Sequence, residues 1–186
     1  MARKKASEDR GAEETAGDSF PITFDPSKGR IFLQNAPVWF MSPEYYVDLQ
    51  LQLEQTMGKA SKGILYRAAE QSGRRIAQII SAGLDPNADD MTRVTILLKI
   101  AEFVPTMGHG KVALVIEDLG QLKTAWTMPY SQIAEIRRPS DHPACHFYAG
   151  AAAGIVSEVF GRPVMGEEVE CAATGGKACV FRTHAL

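Results

Sequence analysis

The chain has 186 residues, 45% hydrophobic and 23% charged, enough for one globular domain with a real core, or one domain and a tail. Its 20 Lys and Arg stand against 22 Asp and Glu, a formal charge of -2, and without a basic excess nothing points to nucleic acid as a direct partner. No stretch is long and apolar enough for a membrane span and the charged start has no signal-peptide core, so the sequence reads as a soluble cytoplasmic protein.

Residues 1–19 contain no aromatic, Leu, Ile or Val and are expected to be a disordered tail. The folded domain is expected over 20–186. "PITFD" and "GRIFLQNAPVWFM" read as short strands, with turn residues in "PSKG" and "QNAP". Ser42-Pro43-Glu44 is a helix start, with Ser as N-cap and Pro at the first helical position. That helix runs to Met57, with Gly58 as its stop. A second helix is predicted from Ala60 to Ser81. Its apolar positions Ile64, Leu65, Ala68, Ile76, Ile79 and Ile80 follow helical spacing. "GLDPNADD" breaks it, and Asp89 or Asp90 caps a third helix through Phe103.

The pattern then changes. "KVALVIED" and "QLKTAWTM" read as a hairpin, followed by a short helix near Tyr130 to Ile136. "HPACHFYAGAAAGIVSEVFG" reads as one helix with Pro143 near its start and Gly161 after its end. "VMGEEVECAAT" and "KACVFRT" form a last hairpin, turned by Gly175-Gly176. Helices segregated from antiparallel hairpins predict an α+β fold, an antiparallel sheet with helices packed on it. Gly150 and Gly154 lie four apart amid alanines. They let another backbone approach closely, or they leave room for a ligand.

Three cysteines in a reducing compartment more often serve as thiols or metal ligands than as bridges. Zinc takes four ligands and accepts thiolate, imidazole and carboxylate. Cys171 and Cys179 are symmetric about Gly175 and can face one side of the hairpin. Glu168, three residues before Cys171, would point away from it in a regular strand, so a bulge is needed to bring both to one ion. Cys145 lies at the start of the preceding helix, where the helix dipole favours a thiolate. Inert buried thiols, a Cys171–Cys179 disulfide, and ligation by His142 or His146 remain open alternatives. There is no CxxC pair, GxGxxG fingerprint or P-loop, and no catalytic residue is assigned.

The run "HPACHFYAGAAAGIVSEVFGRPVMGEEVECAATGGKACVF" resembles the C-terminal part of the 4-vinyl reductase domain family. This part also occurs in the sensor domains of phenol- and xylene-responsive transcription activators. The matching elements are Pro-x-Cys opening a helix, Gly-Arg-Pro-Val, Glu-Val-Glu-Cys, and Gly and Cys in the closing hairpin. "GRIFLQNAPVWFMSPEYYVDLQLQLEQTMGKASKGILYRAAEQSG" is similar to the first half of those sensors, so the resemblance spans roughly residues 20 to 183. It implies a fold shared with aromatic sensors and vesicle-trafficking subunits, and a structural zinc on Cys145, Glu168, Cys171 and Cys179. Trp126 matches the sensors' Trp. Their phenol-anchoring His falls in the segment Met107 to Lys111, which aligns poorly; His109 is the nearby residue. An aromatic two residues before the liganding Glu is replaced here by Gly166.

The expected function is that of a stand-alone, zinc-stabilised module binding a hydrophobic, aromatic or polycyclic, small molecule for sensing, sequestration or delivery. The candidate lining is Phe103, Trp126, Tyr130, Phe147 and Tyr148, aromatic groups of which Trp and Tyr carry a polar handle. The resemblance also implies a homodimer, and a separate output protein would supply what the sensors' ATPase and DNA-binding domains do. Two other expectations are an accessory role in tetrapyrrole or bacteriochlorophyll synthesis, and a protein-interaction module without a ligand.

Overall fold

Three short antiparallel strands open the described part of the chain: β1 (Ile22–Asp25), β2 (Arg30–Leu33) and β3 (Ala36–Val38), in that spatial order. The β1–β2 turn is set by Asp25, whose carboxylate accepts from the Ser27 backbone N–H at 3.0 Å and the Ser27 hydroxyl at 2.6 Å. A computed structural model describes residues 22–33 and 36–186, and the tail expected over 1–19 lies outside the described residues. The chain divides into two units, Met1–Trp39 and Phe40–Leu186. The three strands belong to the first.

In the second unit the helix starts lie where the capping residues put them. The Ser42 hydroxyl accepts from the Tyr45 N–H at 3.2 Å and opens α1 (Pro43–Met57). After α2 (Ala60–Ile80), the Asp89 carboxylate accepts from the Thr92 N–H at 2.7 Å and opens α3 (Asp90–Phe103). A single 3-10 turn, Val104–Met107, leads through Gly108-His109-Gly110 into β4 (Ala113–Asp118) and β5 (Lys123–Met128). Then come α4 (Gln132–Arg137), α5 (His146–Phe160), β6 (Val164–Glu170) and β7 (Cys179–Ala185). The four strands form one antiparallel sheet in the order β4-β5-β7-β6.

Helix α5 is apolar almost all round and buried along nearly its whole length, as a helix must be when covered on both sides. It packs on β6 and β7 on one side and on α2 on the other. The α2–α5 seam is close because it is built from small residues. A Cβ at Gly150 would strike the Tyr66 carbonyl, one at Gly154 the Glu70 carbonyl, and one at Gly73 the Ala151 carbonyl. Backbone, not a ligand, fills the space at Gly150 and Gly154, so the close-approach reading holds. Gly166 likewise faces the Ala149 carbonyl.

Two sequence expectations shift. The buried stripe of α2 is Ser61, Leu65, Ala69, Gly73 and Ala77, one residue every turn, while Ala68 is exposed. Apolar spacing pointed to the isoleucines because they are the most hydrophobic residues, but the tight seam admits only small ones. The long C-terminal helix also begins later than its Pro143 suggests: Pro143 and Ala144 precede it, and Cys145 occupies the N-cap position with φ -105° and ψ 25°. Among the described residues no helix is long and apolar enough to cross a membrane.

Candidate functional site

Cys145, Glu168, Cys171 and Cys179 converge between the start of α5 and the β6–β7 hairpin. Their ligating atoms all lie within 4.8 Å of one another. The bulge that the sequence required is present: the β6–β7 register shifts between Glu168, opposite Phe181, and Glu170, opposite Val180. The extra residue turns Glu168 and Cys171 to the same inward side. Beyond β6 the chain makes a 3-10 turn over Ala172–Thr174, and Gly175, with φ 98°, closes it in a conformation that side chains resist.

The donors fit a metal. The Cys145 and Cys179 sulfurs are 3.6 Å apart, close to the roughly 3.8 Å expected between two thiolates on one tetrahedral zinc with Zn–S of about 2.3 Å. Glu168 Oε2 accepts from the Cys145 backbone N–H at 2.8 Å, which leaves Oε1 buried and without a protein partner. An orphaned carboxylate oxygen beside three thiols suits a cation. The charges say the same. Hydrogen bonding among the thiols, followed by burial, drives the Cys145 thiol far above its usual pKa. Burial and the neighbouring Cys171 push Glu168 up to about 9. Hydrogen bonds from Cys145 and Cys179 hold Cys171 well below its usual value. The groups oppose one another's ionisation, and a divalent cation is the charge that lets all four lose their protons together. A second layer holds the donors: the Ala172 N–H donates to Cys179 Sγ at 3.4 Å, and buried Gln50 of α1 donates to the Ala144 carbonyl at 2.9 Å. His142 and His146 do not join the cluster.

Two residues beyond Cys145, the chain passes from metal cluster to cavity wall. Phe147 and Tyr148 separate two cavities, and Met107 and His109 complete the partition. The inner cavity, of about 70 Å³, is walled chiefly by Ile76, Val112, Trp126, Met128, Ile155 and Phe181. The outer one, of about 270 Å³, is bounded by Met41, Ser42, Pro43, Tyr46, Gln132 and Ile133 together with the partition. No Lys, Arg, Asp or Glu lines either. His109 Nδ1 and the Tyr148 hydroxyl are 3.4 Å apart. Burial lowers the His109 pKa and raises that of Tyr148, so both are neutral at physiological pH.

Of the lining residues expected from sequence, Trp126, Phe147 and Tyr148 stand on the inner wall. Phe103 is in the core and on neither wall, and Tyr130, 63% exposed, points its ring away. The Trp126 N–H does not face a ligand. It donates to Thr124 Oγ1 at 2.8 Å. Thr124 and Thr183 hydroxyls are 2.6 Å apart, and Thr183 donates to the Leu122 carbonyl at 2.9 Å. Thr183's proton is thus committed, so Thr124 donates to Thr183 and accepts from Trp126, and the chain of bonds is complete. Sequence reasoning passed over Met107, Val112, Ile76 and Ile155 as ordinary apolar residues. The signal for His109 was present, a lone histidine between two glycines that both take positive φ, 82° and 99°.

Solved structures share this fold. The phenol-responsive sensory domain of the transcription activator PoxR, solved with phenol, is 20% identical with TM-score 0.76, covering 88% of this chain and 84% of that one. A vinyl-4-reductase family protein from Methanocaldococcus jannaschii is 19% identical with TM-score 0.53, over 80% and 84%. Subunit 3 of a trafficking protein particle complex from Naegleria fowleri, covalently bound to palmitic acid, is 14% identical with TM-score 0.57, over 77% and 95%. No curated protein matches the sequence. Residues 133–185, which contain all four clustered donors and α5, match the family model of the vinyl-4-reductase (V-4-R) domain, and this C-terminal part of the chain is therefore a domain of that family.

Proposed function

We propose that the protein binds an uncharged, hydrophobic aromatic molecule in the cavity beside α5, and that a structural zinc on Cys145, Glu168, Cys171 and Cys179 holds that wall in place. The observation that carries the reading is the wall itself: apolar throughout, free of charged side chains, with the neutral His109–Tyr148 pair as its polar anchor. The fold shared with a phenol-responsive sensory domain supports it. Four protein ligands leave a zinc no open position, so the ion would stabilise rather than catalyse. Sensing, sequestration or delivery of the ligand then requires a separate output protein.

Elemental analysis and native mass spectrometry of the full chain as purified test the metal: about one zinc per chain is expected, and less than about a tenth of an equivalent in folded, never-chelated protein sinks it. Calorimetric titration with phenol, cresols and 1-naphthol tests the cavity; saturable binding weakened at least tenfold by His109→Ala is expected, and no binding by any of them overturns the reading. We also propose a homodimer through the β1–β3 sheet, whose outer strands offer unpaired edges. A light-scattering mass near that of the 20.3 kDa monomer at micromolar concentration would refute it.

The fold likeness to a vinyl-4-reductase family protein favours a second reading, delivery of a tetrapyrrole. The cavities are smaller than the roughly 300 Å³ at which drug-sized sites begin, and a Soret band in the purified protein is the outcome that would revive it.

A further inference from the structure

The inner cavity is too small for the ring that the proposed function assigns to the site. An engineered apolar cavity of about 150 Å³ accommodates benzene, whereas this one has about 70 Å³. The outer cavity, at about 270 Å³, exceeds that requirement. The two share Met107, His109, Phe147 and Tyr148 as walls, so they lie back to back across a partition one side chain thick. Their chemistry differs along one axis. The outer chamber offers Ser42 and Gln132 beside His109, while the inner one offers hydrocarbon and the edge of Trp126, whose N–H is already bonded to Thr124.

We propose that the two chambers form a single site for an elongated, uncharged amphiphile, with a ring-sized polar head in the outer chamber and a slender apolar tail of two to four carbons in the inner one. The inference rests on the cavity reading above and adds the ligand's shape, polarity and orientation. The tail passes the partition where His109 meets Tyr148. Their 3.4 Å contact is long for a hydrogen bond, and Gly108, whose surroundings leave open space, lets the His109 loop yield. An anionic head is excluded because no cation stands on the outer wall to offset its desolvation.

The test is calorimetric titration of the full chain with phenol and its 4-ethyl, 4-propyl, 4-butyl and 4-octyl derivatives, with 4-propylbenzoate as the anionic control. Affinity should rise about fourfold for each methylene, the worth of burying one CH₂, up to propyl or butyl, and stop rising by octyl as the inner chamber fills. The benzoate should bind at least tenfold more weakly than 4-propylphenol. Ser72→Leu, which fills the inner chamber from α2, should flatten the series while leaving phenol itself unchanged. Should that variant fail to fold, the length dependence in the parent protein still decides. Phenol binding with affinity flat or falling from ethyl onward overturns the joined site and leaves the single-ring reading standing. Affinity that climbs steadily through octyl also overturns it, since a closed inner chamber cannot account for that. No binding by any member removes both.

Discussion

The metal cluster and the cavity share the first turn of α5, yet they are built on opposite plans. The cluster takes four donors from two neighbouring pieces of chain, with one carboxylate oxygen and three sulfurs inside a sphere 4.8 Å across. The cavity takes its wall from α2, the 3-10 turn and the loop after it, β5, α5 and β7, each contributing one or two ordinary apolar side chains. A concentrated site stands or falls with single atoms, whereas a distributed one loses its parts gradually.

The sharpest test of that contrast is Cys179→Ser. It removes one of three thiolates from a site whose binding energy is folding energy. The zinc should be lost, and the melting temperature should fall by on the order of 10–20 °C, equivalent to several kcal/mol for a chain of this size. A variant that keeps its metal and its melting temperature would break the comparison. Next comes Gly154→Ala in the seam behind the cavity. Its methyl group meets the Glu70 carbonyl, a backbone atom that cannot turn aside, and a loss of about 3 kcal/mol is expected in chemical denaturation.

Glu54 of α1 probes a tie outside both regions. Burial works against its charge, but the Arg137 guanidinium, bonded to both oxygens at 3.1 and 2.9 Å, outweighs it and holds the carboxyl below its usual pKa. A carboxyl so lowered stabilises the fold above the ordinary glutamate range, and that stability is lost as pH falls through the folded-state value. Glu54→Gln should therefore cost about 2 kcal/mol at pH 7, and the deficit should vanish in melts carried below the carboxylate range. Smallest is Trp126→Phe. It keeps the ring area and deprives Thr124 of its donor, so stability should drop by about 1 kcal/mol while phenol affinity stays unchanged. A tenfold loss of affinity with stability intact would show instead that the indole N–H serves the ligand.

The same contrast explains what could be read in the sequence. Cysteines are rare, and those at 171 and 179 with Glu168 lie on one hairpin, so local spacing and the need for a bulge exposed the cluster. Ser42 and Asp89 announced their helices because a cap acts on the next three residues. The cavity was only half legible. Phe147, Tyr148 and Trp126 stood out as aromatic, but Tyr130, equally aromatic, turns to solvent, and Ile76, Val112 and Ile155 look like any core residue until the elements are assembled. The stripe of α2 was misread because a seam between backbones selects for smallness, whereas hydrophobic periodicity reports bulk.

That seam also fixes a mechanical property of the molecule. The contacts of Gly150 with Tyr66 and of Gly154 with Glu70 rise together along the two helices like teeth in a rack. Sliding α5 one turn forward would set Glu158 against the Glu70 carbonyl, and one turn back would set His146 against that of Tyr66. Neither side chain fits where a hydrogen atom now sits, so α2 and α5 have a single register and cannot ratchet. They act as the fixed jaw of the domain, and accommodation of a guest falls to the opposing jaw, the short glycine-flanked loop that carries His109.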